Sequence, residues 1–222
     1  MVAVAFTDID HVGLDACKER GIEVHKCAGY SDRAVSELVI GLTLSLFRKI
    51  CEGDAVVRNG GTRVGLMGTE IGDKAVNIIV YGRIGYQTAK LFQAFGAKVL
   101  AYLRTVNKEH EKHGIVYTCL ETLLSESDIV SLHLPNIAQA KGLLNKEQLG
   151  FHRQDAIVIN CARGPIIDSV ALAELLDARR IAAAGLDVFN TESALADDYP
   201  LLQAKRTLLT PHVAFFNQGN ND

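Results

Sequence analysis

No stretch of the 222-residue sequence approaches the roughly 18 to 20 consecutive apolar residues that a bilayer-spanning helix needs. The N-terminus also lacks the basic region, apolar stretch and cleavage site of a secretory signal. Both absences point to a cytoplasmic protein without a membrane partner. Cysteine is sparse: Cys17, Cys27, Cys51, Cys119 and Cys161 are odd in number, scattered and never spaced as CxxC. That pattern argues against a disulfide framework or a thiolate zinc site. Charge of neither sign is in excess. A net charge of -3 and a pI near 6.2 leave no electrostatic footprint for nucleic acid, so a small-molecule partner is expected. Proline is scarce as well, four against 19 glycines, which suits a domain with many tight turns. What remains is an ordinary globular composition, 48% hydrophobic and 22% charged, long enough to bury a substantial core.

The first 30 residues hold a short apolar start at 2–6, a helical turn over 14–20 and a strand-like run at 21–25, and they look incomplete as a domain. From Ser31 the pattern changes. Val35, Leu38, Val39, Leu42, Leu46 and Ile50 recur at helical spacing behind Ser31 or Asp32 as N-cap, which predicts one long helix. Beyond Gly72-Asp73, short β-rich runs alternate with helical stretches at residues 75–80, 99–102, 129–134, 156–160, 182–188 and 207–210. Most of these runs are continuously apolar, so the strands are buried on both faces. Helix-length connections between them imply parallel pairing through right-handed crossovers. The expected fold is a doubly wound α/β sheet of Rossmann type. Residues 85–95 form its first crossover helix, with Ile84, Ala89, Leu91, Phe92 and Phe95 on the apolar side and Gly96 at the end.

Ile78-Ile79-Val80-Tyr81-Gly82-Arg83-Ile84-Gly85 joins a buried strand to that helix, where a dinucleotide fold places its phosphate loop. Gly82 allows close approach of the backbone, Gly85 allows close helix packing, and the helix start offers oriented N–H groups to an anion. Val80 stands where the first fingerprint glycine would be, so the turn either carries strain or follows another path. An acidic residue about 20 positions on, the usual partner of an NAD ribose, is missing from Tyr102-Leu103-Arg104-Thr105. Leu103 accepts no hydrogen bond. Arg104 is either a solvated loop arginine or a partner for a 2′-phosphate, which would favour NADP over NAD.

Three further segments are Ser125-Glu126-Ser127-Asp128-Ile129-Val130-Ser131-Leu132-His133-Leu134-Pro135, Asn160-Cys161-Ala162-Arg163-Gly164-Pro165 and Gly185-Leu186-Asp187-Val188-Phe189. With Thr210-Pro211-His212 they resemble the D-2-hydroxyacid dehydrogenases, in order and over nearly the whole chain. The resemblance implies a catalytic set of Arg163, Glu192 and His212 and adds Asp187 to the cofactor candidates already read from the residues, Tyr81, Gly82, Arg83, Ile84, Gly85 and Arg104. Asp187 matches a family position that contacts the nicotinamide carboxamide. Chemistry explains the catalytic set independently. Reducing a 2-keto acid needs a cation for the carboxylate or carbonyl, a proton donor and a hydride. Arg163 offers a planar fork of donors, His212 a proton near neutral pH, and Glu192 a carboxylate to orient the imidazole. His133 reads as structural, His110 and His113 as a solvated helical face rather than a metal pair, and Cys161 as a thiol without a base.

The resemblance divides the chain into 1–30, a remnant of a flavodoxin-like substrate domain; 31–212, the dinucleotide-binding domain with its linking and dimerisation helix; and 213–222, a truncated C-terminal segment. It implies an NAD(P)-dependent oxidoreductase acting on a 2-keto or D-2-hydroxy acid, a homodimer, and impaired turnover in this shortened chain. The alternative is a catalytically inactive dinucleotide-binding or dimerisation module. Departures from the family pattern are Asp8 and Asn77 for glycines, Val80 for the fingerprint glycine, Gly13 for an aspartate, and Ser193 for the proline after the glutamate.

Overall fold

The computed structural model describes residues 1–4, 9, 12–27, 29–79, 82–102, 116–135, 137–191 and 193–218. At the start, β1 (Val2–Val4) and β2 (Val24–Lys26) pair in parallel around α1 (Leu14–Glu19), a short helix that buries none of its residues.

The helix predicted to run from Ser31 through Ile50 is two helices. α2 (Asp32–Phe47) stops, Lys49 adopts a left-handed φ of 51°, and α3 (Ile50–Arg58) begins anew. Apolar spacing continues across the break, but the backbone hydrogen bonds do not. The Phe47 carbonyl accepts the N–H of Thr69 at 2.8 Å, and Lys49 Nζ donates to the Gly65 carbonyl at 2.9 Å. Gly68 lies so close that a Cβ there would come within 2.7 Å of the Phe47 carbonyl oxygen. These contacts from the following loop offset the roughly 1–2 kcal/mol that a left-handed non-glycine residue costs.

Seven parallel strands form the main sheet, in the order β5 (Val116–Tyr117), β4 (Lys98–Tyr102), β3 (Ala75–Ile79), β6 (Ile129–Leu132), β7 (Ile157–Asn160), β8 (Ala183–Leu186) and β9 (Thr207–Leu209). The expected doubly wound architecture is present. Every residue of β6 and β7 is buried, which is why their sequences show no alternation. On one face α2 and α4 (Arg83–Ala94) pack Val35, Val39, Ala89 and Phe92 against Val76 and Ile78. The other face carries α5 (Leu120–Glu126), α6 (Lys146–Gly150), α7 (Ser169–Asp177) and α8 (Pro200–Gln203), with Leu123, Leu149, Leu172 and Leu201 in its core.

Two strands end earlier than their apolar runs. β6 stops at Leu132 and β8 at Leu186, although Leu134 and Val188 are buried, because the apolar cover continues over the loops. Phe95 is exposed, contrary to its expected place on the inner face of α4. The short β5 was not predicted. Gly185 marks where α2 crosses β8: a Cβ would meet Ile159 Cδ1 at 2.9 Å and Leu42 Cβ at 3.2 Å. The apolar sides of α2 are thus largely taken up by the sheet and α4. Exposed apolar residues collect instead on α3 and the loop after it, at Ile50, Val57, Val64 and Met67. Among the described residues no helix is long and apolar enough to cross a membrane.

Candidate active site

The strand register draws a straight line across the sheet. Ile79, Leu132, Asn160, Leu186 and Leu209 are successive neighbours at the carboxyl ends of β3, β6, β7, β8 and β9. The order of strands reverses between β3 and β6, so the line passes through the switch point where open α/β sheets bind ligands. Candidate residues follow almost at once: Gly82 after β3, His133 after β6, Arg163 after β7, Asp187 after β8 and His212 after β9.

At β3, Gly82 is the N-cap of α4 and has an extended backbone, φ -84° and ψ -162°, with no side chain capping the helix and no acidic residue in its first turn. A Cβ on Gly82 would meet no atom of the described residues within 4 Å. Arg83 and Ile84 begin the helix, and Gly85 is buried in its first turn. Uncapped N–H groups at a helix start suit a phosphate. Tyr81, like Val80, lies outside the described residues.

The loop after β7 is folded by Asn160. Its buried side chain donates from Nδ2 to the Arg163 carbonyl at 2.9 Å and accepts the Ala162 N–H on Oδ1 at 3.0 Å. Arg163 emerges half-buried with extended backbone, and its Nη1 donates to the Ala162 carbonyl at 2.6 Å. Gly164 then passes so close to the next loop that a Cβ would overlap the carbonyl of Phe189. The arginine loop and the loop leading toward position 192 are therefore in backbone contact. Asn190 Nδ2 adds a bond to Ser169 Oγ at 3.3 Å, and Ser169 pairs with the Tyr199 hydroxyl at 2.8 Å.

Asp187 is fully buried and organises the loop that carries His212. Its Oδ1 accepts from Thr210 Oγ1 at 2.5 Å and from the Val213 N–H at 3.0 Å, and its Oδ2 accepts the Ala214 N–H at 2.9 Å. Its backbone carbonyl accepts the His212 N–H at 2.8 Å. His212 sits inside this clamp with a left-handed φ of 54°, its ring edge-on to Phe215 at 5.2 Å between centroids. A non-glycine residue held at such a φ requires surroundings that fix it.

Other groups on this edge are held neutral. His133 retains some exposure, but burial of its ring lowers its pKa to about 3, and Nε2 lies 2.9 Å from Ser131 Oγ. Burial raises the Cys161 thiol well above its usual range, and the nearby Asp187 charge adds to this. Neither fits an ionised catalytic role, as the sequence suggested. Glu192, Arg104, Leu103, His110, His113 and Asp8 lie outside the described residues. Sequence reasoning missed Asn160 as loop organiser, Gly164 as a point of close approach, and Asp32 as partner of Arg83. An Asn ending a strand two residues before the Ala-Arg-Gly run was the available signal for the first two.

Residues 40–214 match the family model described as D-isomer specific 2-hydroxyacid dehydrogenase, NAD binding domain. A D-3-phosphoglycerate dehydrogenase of Archaeoglobus fulgidus is 36% identical over 216 residues, covering 96% of this chain and 41% of that protein. A hydroxypyruvate reductase of Blautia hydrogenotrophica is 35% identical over 221 residues, covering 96% of this chain and 68% of that protein. The crystal structure of the Aquifex aeolicus D-lactate dehydrogenase with NAD and lactic acid superposes with a TM-score of 0.91 at 28% identity. That match covers 98% of this chain and 70% of the other. The chain thus spans between two fifths and about seven tenths of the length of these relatives.

Proposed function

Since this chain belongs to the D-isomer specific 2-hydroxyacid dehydrogenase family, we propose that it interconverts a 2-keto acid and a D-2-hydroxy acid with NAD or NADP. The observation that carries this reading is the line of strand ends, which sends the phosphate turn, Arg163, Asp187 and His212 off one edge of one sheet. The dinucleotide supplies the hydride. The uncapped start of α4 suits its pyrophosphate, received by Gly82, Arg83, Ile84 and Gly85; Tyr81 joins them on the sequence alone. Arg163 takes the substrate carboxylate or carbonyl on its planar fork. His212 gives a proton to the carbonyl oxygen during reduction and takes one from the hydroxyl during oxidation, while Glu192 orients the imidazole. The resemblance assigns Asp187 to the nicotinamide carboxamide; it is fully buried with three hydrogen bonds into the 210–214 loop, so that contact requires the loop to shift when the cofactor binds.

Arg104, in place of an acid, favours NADP. The apolar residues exposed on α3 and its following loop suit a homodimer built through the nucleotide domain. The 222-residue chain by itself turns over slowly. Among the described residues its N-terminal unit is one strand pair and a helix with no buried residue, a small cover for a reaction that gains several kcal/mol from positioning and water exclusion.

Titration with NADH and NADPH, then steady-state assays with pyruvate, glyoxylate and hydroxypyruvate, test the reading. Expected are dinucleotide binding, a preference for NADPH that Arg104→Ala removes, and slow turnover abolished by Arg163→Ala or His212→Ala. Glu192→Gln should shift the pH dependence. Binding without any turnover would favour an inactive cofactor module, and turnover that survives both variants would refute the catalytic assignment.

A further inference from the structure

We propose that Asp32 is a positioning residue for the cofactor: from the first turn of α2 it holds the Arg83 guanidinium at the phosphate turn, and so sets the affinity for the dinucleotide pyrophosphate. The inference rests on the dinucleotide reading above but concerns a residue outside the fingerprint.

Arg83 opens α4, at the positive end of a helix dipole, where a cation is unfavourable. No acidic side chain in the first turn of α4 compensates it. Compensation comes from 51 residues away, because Asp32 Oδ2 accepts from Arg83 Nε at 2.8 Å. The aspartate is nearly fully buried, whereas most of the arginine side chain reaches solvent. Asp32 lies in the first turn of the 16-residue α2, whose own dipole favours a carboxylate there. The pair therefore couples a fixed anchor to an exposed cation.

The geometry of the fork matters. Only Nε is engaged, so Nη1 and Nη2 make no hydrogen bond among the described residues and remain available to an anion. Gly29 leaves room for the guanidinium, since a Cβ there would overlap it. A second tie fixes the two helices to each other: Ser36 Oγ donates toward the carbonyls of Asp32 at 2.8 Å and Ile84 at 3.3 Å, and accepts from Thr88 Oγ1 at 3.2 Å. A free surface arginine would have to give up its rotamer freedom on meeting phosphate. Here that loss has already occurred on folding, which is the usual gain from preorganisation. The charge of Asp32 opposes the anion, but it is directed onto Nε and neutralised there.

NADH fluorescence titration of the 222-residue chain, of Asp32→Asn, Arg83→Gln and the double variant, at about 50 and about 500 mM NaCl, tests this. Asp32→Asn should weaken binding about tenfold, Arg83→Gln at least as much, and the double variant no more than Arg83→Gln alone. The fall in affinity with salt should be shallower in all three than in the wild type, which a merely structural role for Asp32 would not produce. Wild-type or tighter binding by Asp32→Asn, additive losses, or an unchanged salt dependence would overturn the proposal while the dinucleotide reading stands. A wild-type chain that binds no dinucleotide would overturn both.

Discussion

Replacing Asn77 should make this protein more stable. The residue lies in the middle of β3 with no exposure, and neither its Oδ1 nor its Nδ2 has a hydrogen-bond partner among the described residues. Its neighbours across the sheet are Leu100 and Val130. By strand alternation it faces the same side as Ile79, which packs with Leu123 and Leu124. A buried amide that loses its water without replacement costs roughly 1–3 kcal/mol. Asn77→Val removes both orphaned groups and places a β-branched side chain of similar size in a buried strand, where crowding costs on the order of 1 kcal/mol. The net expectation is a gain of up to about 2 kcal/mol. At about 2–4 °C per kcal/mol for a chain of this size, Tm should rise by up to roughly 8 °C. Asn77→Ala is the control without crowding; it should gain less, because it leaves a small cavity. Far-UV circular dichroism suits the melts, since the chain has no tryptophan. If both variants melt below the wild type, the amide is satisfied in solution and the reasoning is wrong.

Stability should also fall in acid through His152, which is buried and has a pKa of about 4 because desolvation outweighs the pull of the Leu149 and Gln148 carbonyls. Its folded pKa lies below the unfolded value of 6.5, so the contribution is complete above pH 6.5 and fades as pH drops toward 4, by up to about 3 kcal/mol. Urea titrations across that window should show a flatter profile for His152→Gln; an equal slope would count against the assignment. Asp187→Asn should cost about 2–3 kcal/mol and most of the activity, because an amide offers one acceptor oxygen and turns its NH2 toward a backbone N–H. A variant with wild-type Tm and kcat would show the clamp to be dispensable. Gly164→Ala should raise KM for the keto acid and lower Tm by several degrees through the overlap with Phe189, whereas unchanged values for both would mean the two loops separate freely.

What was legible in the sequence follows from range. The strands could be read because burial on both faces leaves an unbroken apolar run, as in Ile157–Asn160. Arg163 and His212 could be located because Asn160–Pro165 and Thr210–His212 match the family pattern. The break at Lys49 was hidden, because the groups that end α2 come from residues 65–69 rather than from the helix itself. The Asp32–Arg83 pair and the clamp of Asp187 on residues 210–214 join positions 51 and 23 to 27 apart, which no local pattern records. The resemblance marks Asp187 as a nicotinamide contact, but its burial and its clamp appear only once β9 is in place. Of the catalytic and cofactor candidates, Glu192, Tyr81 and Arg104 rest on the sequence alone.

The crossing of α2 over Gly185 sets a problem of timing. The helix is complete at residue 47, yet the β7 and β8 surfaces that cover Leu42 and Leu46 arrive only with residues 157–186. At a synthesis rate of about 5–20 residues per second, the gap of about 110 residues before β7 corresponds to roughly 5–20 s. During that interval an apolar helix has left the ribosome without the sheet it is shaped to cross. Nascent chains of this protein should therefore depend on protection, from a chaperone or from slow elongation, over the interval between the making of α2 and the arrival of β8.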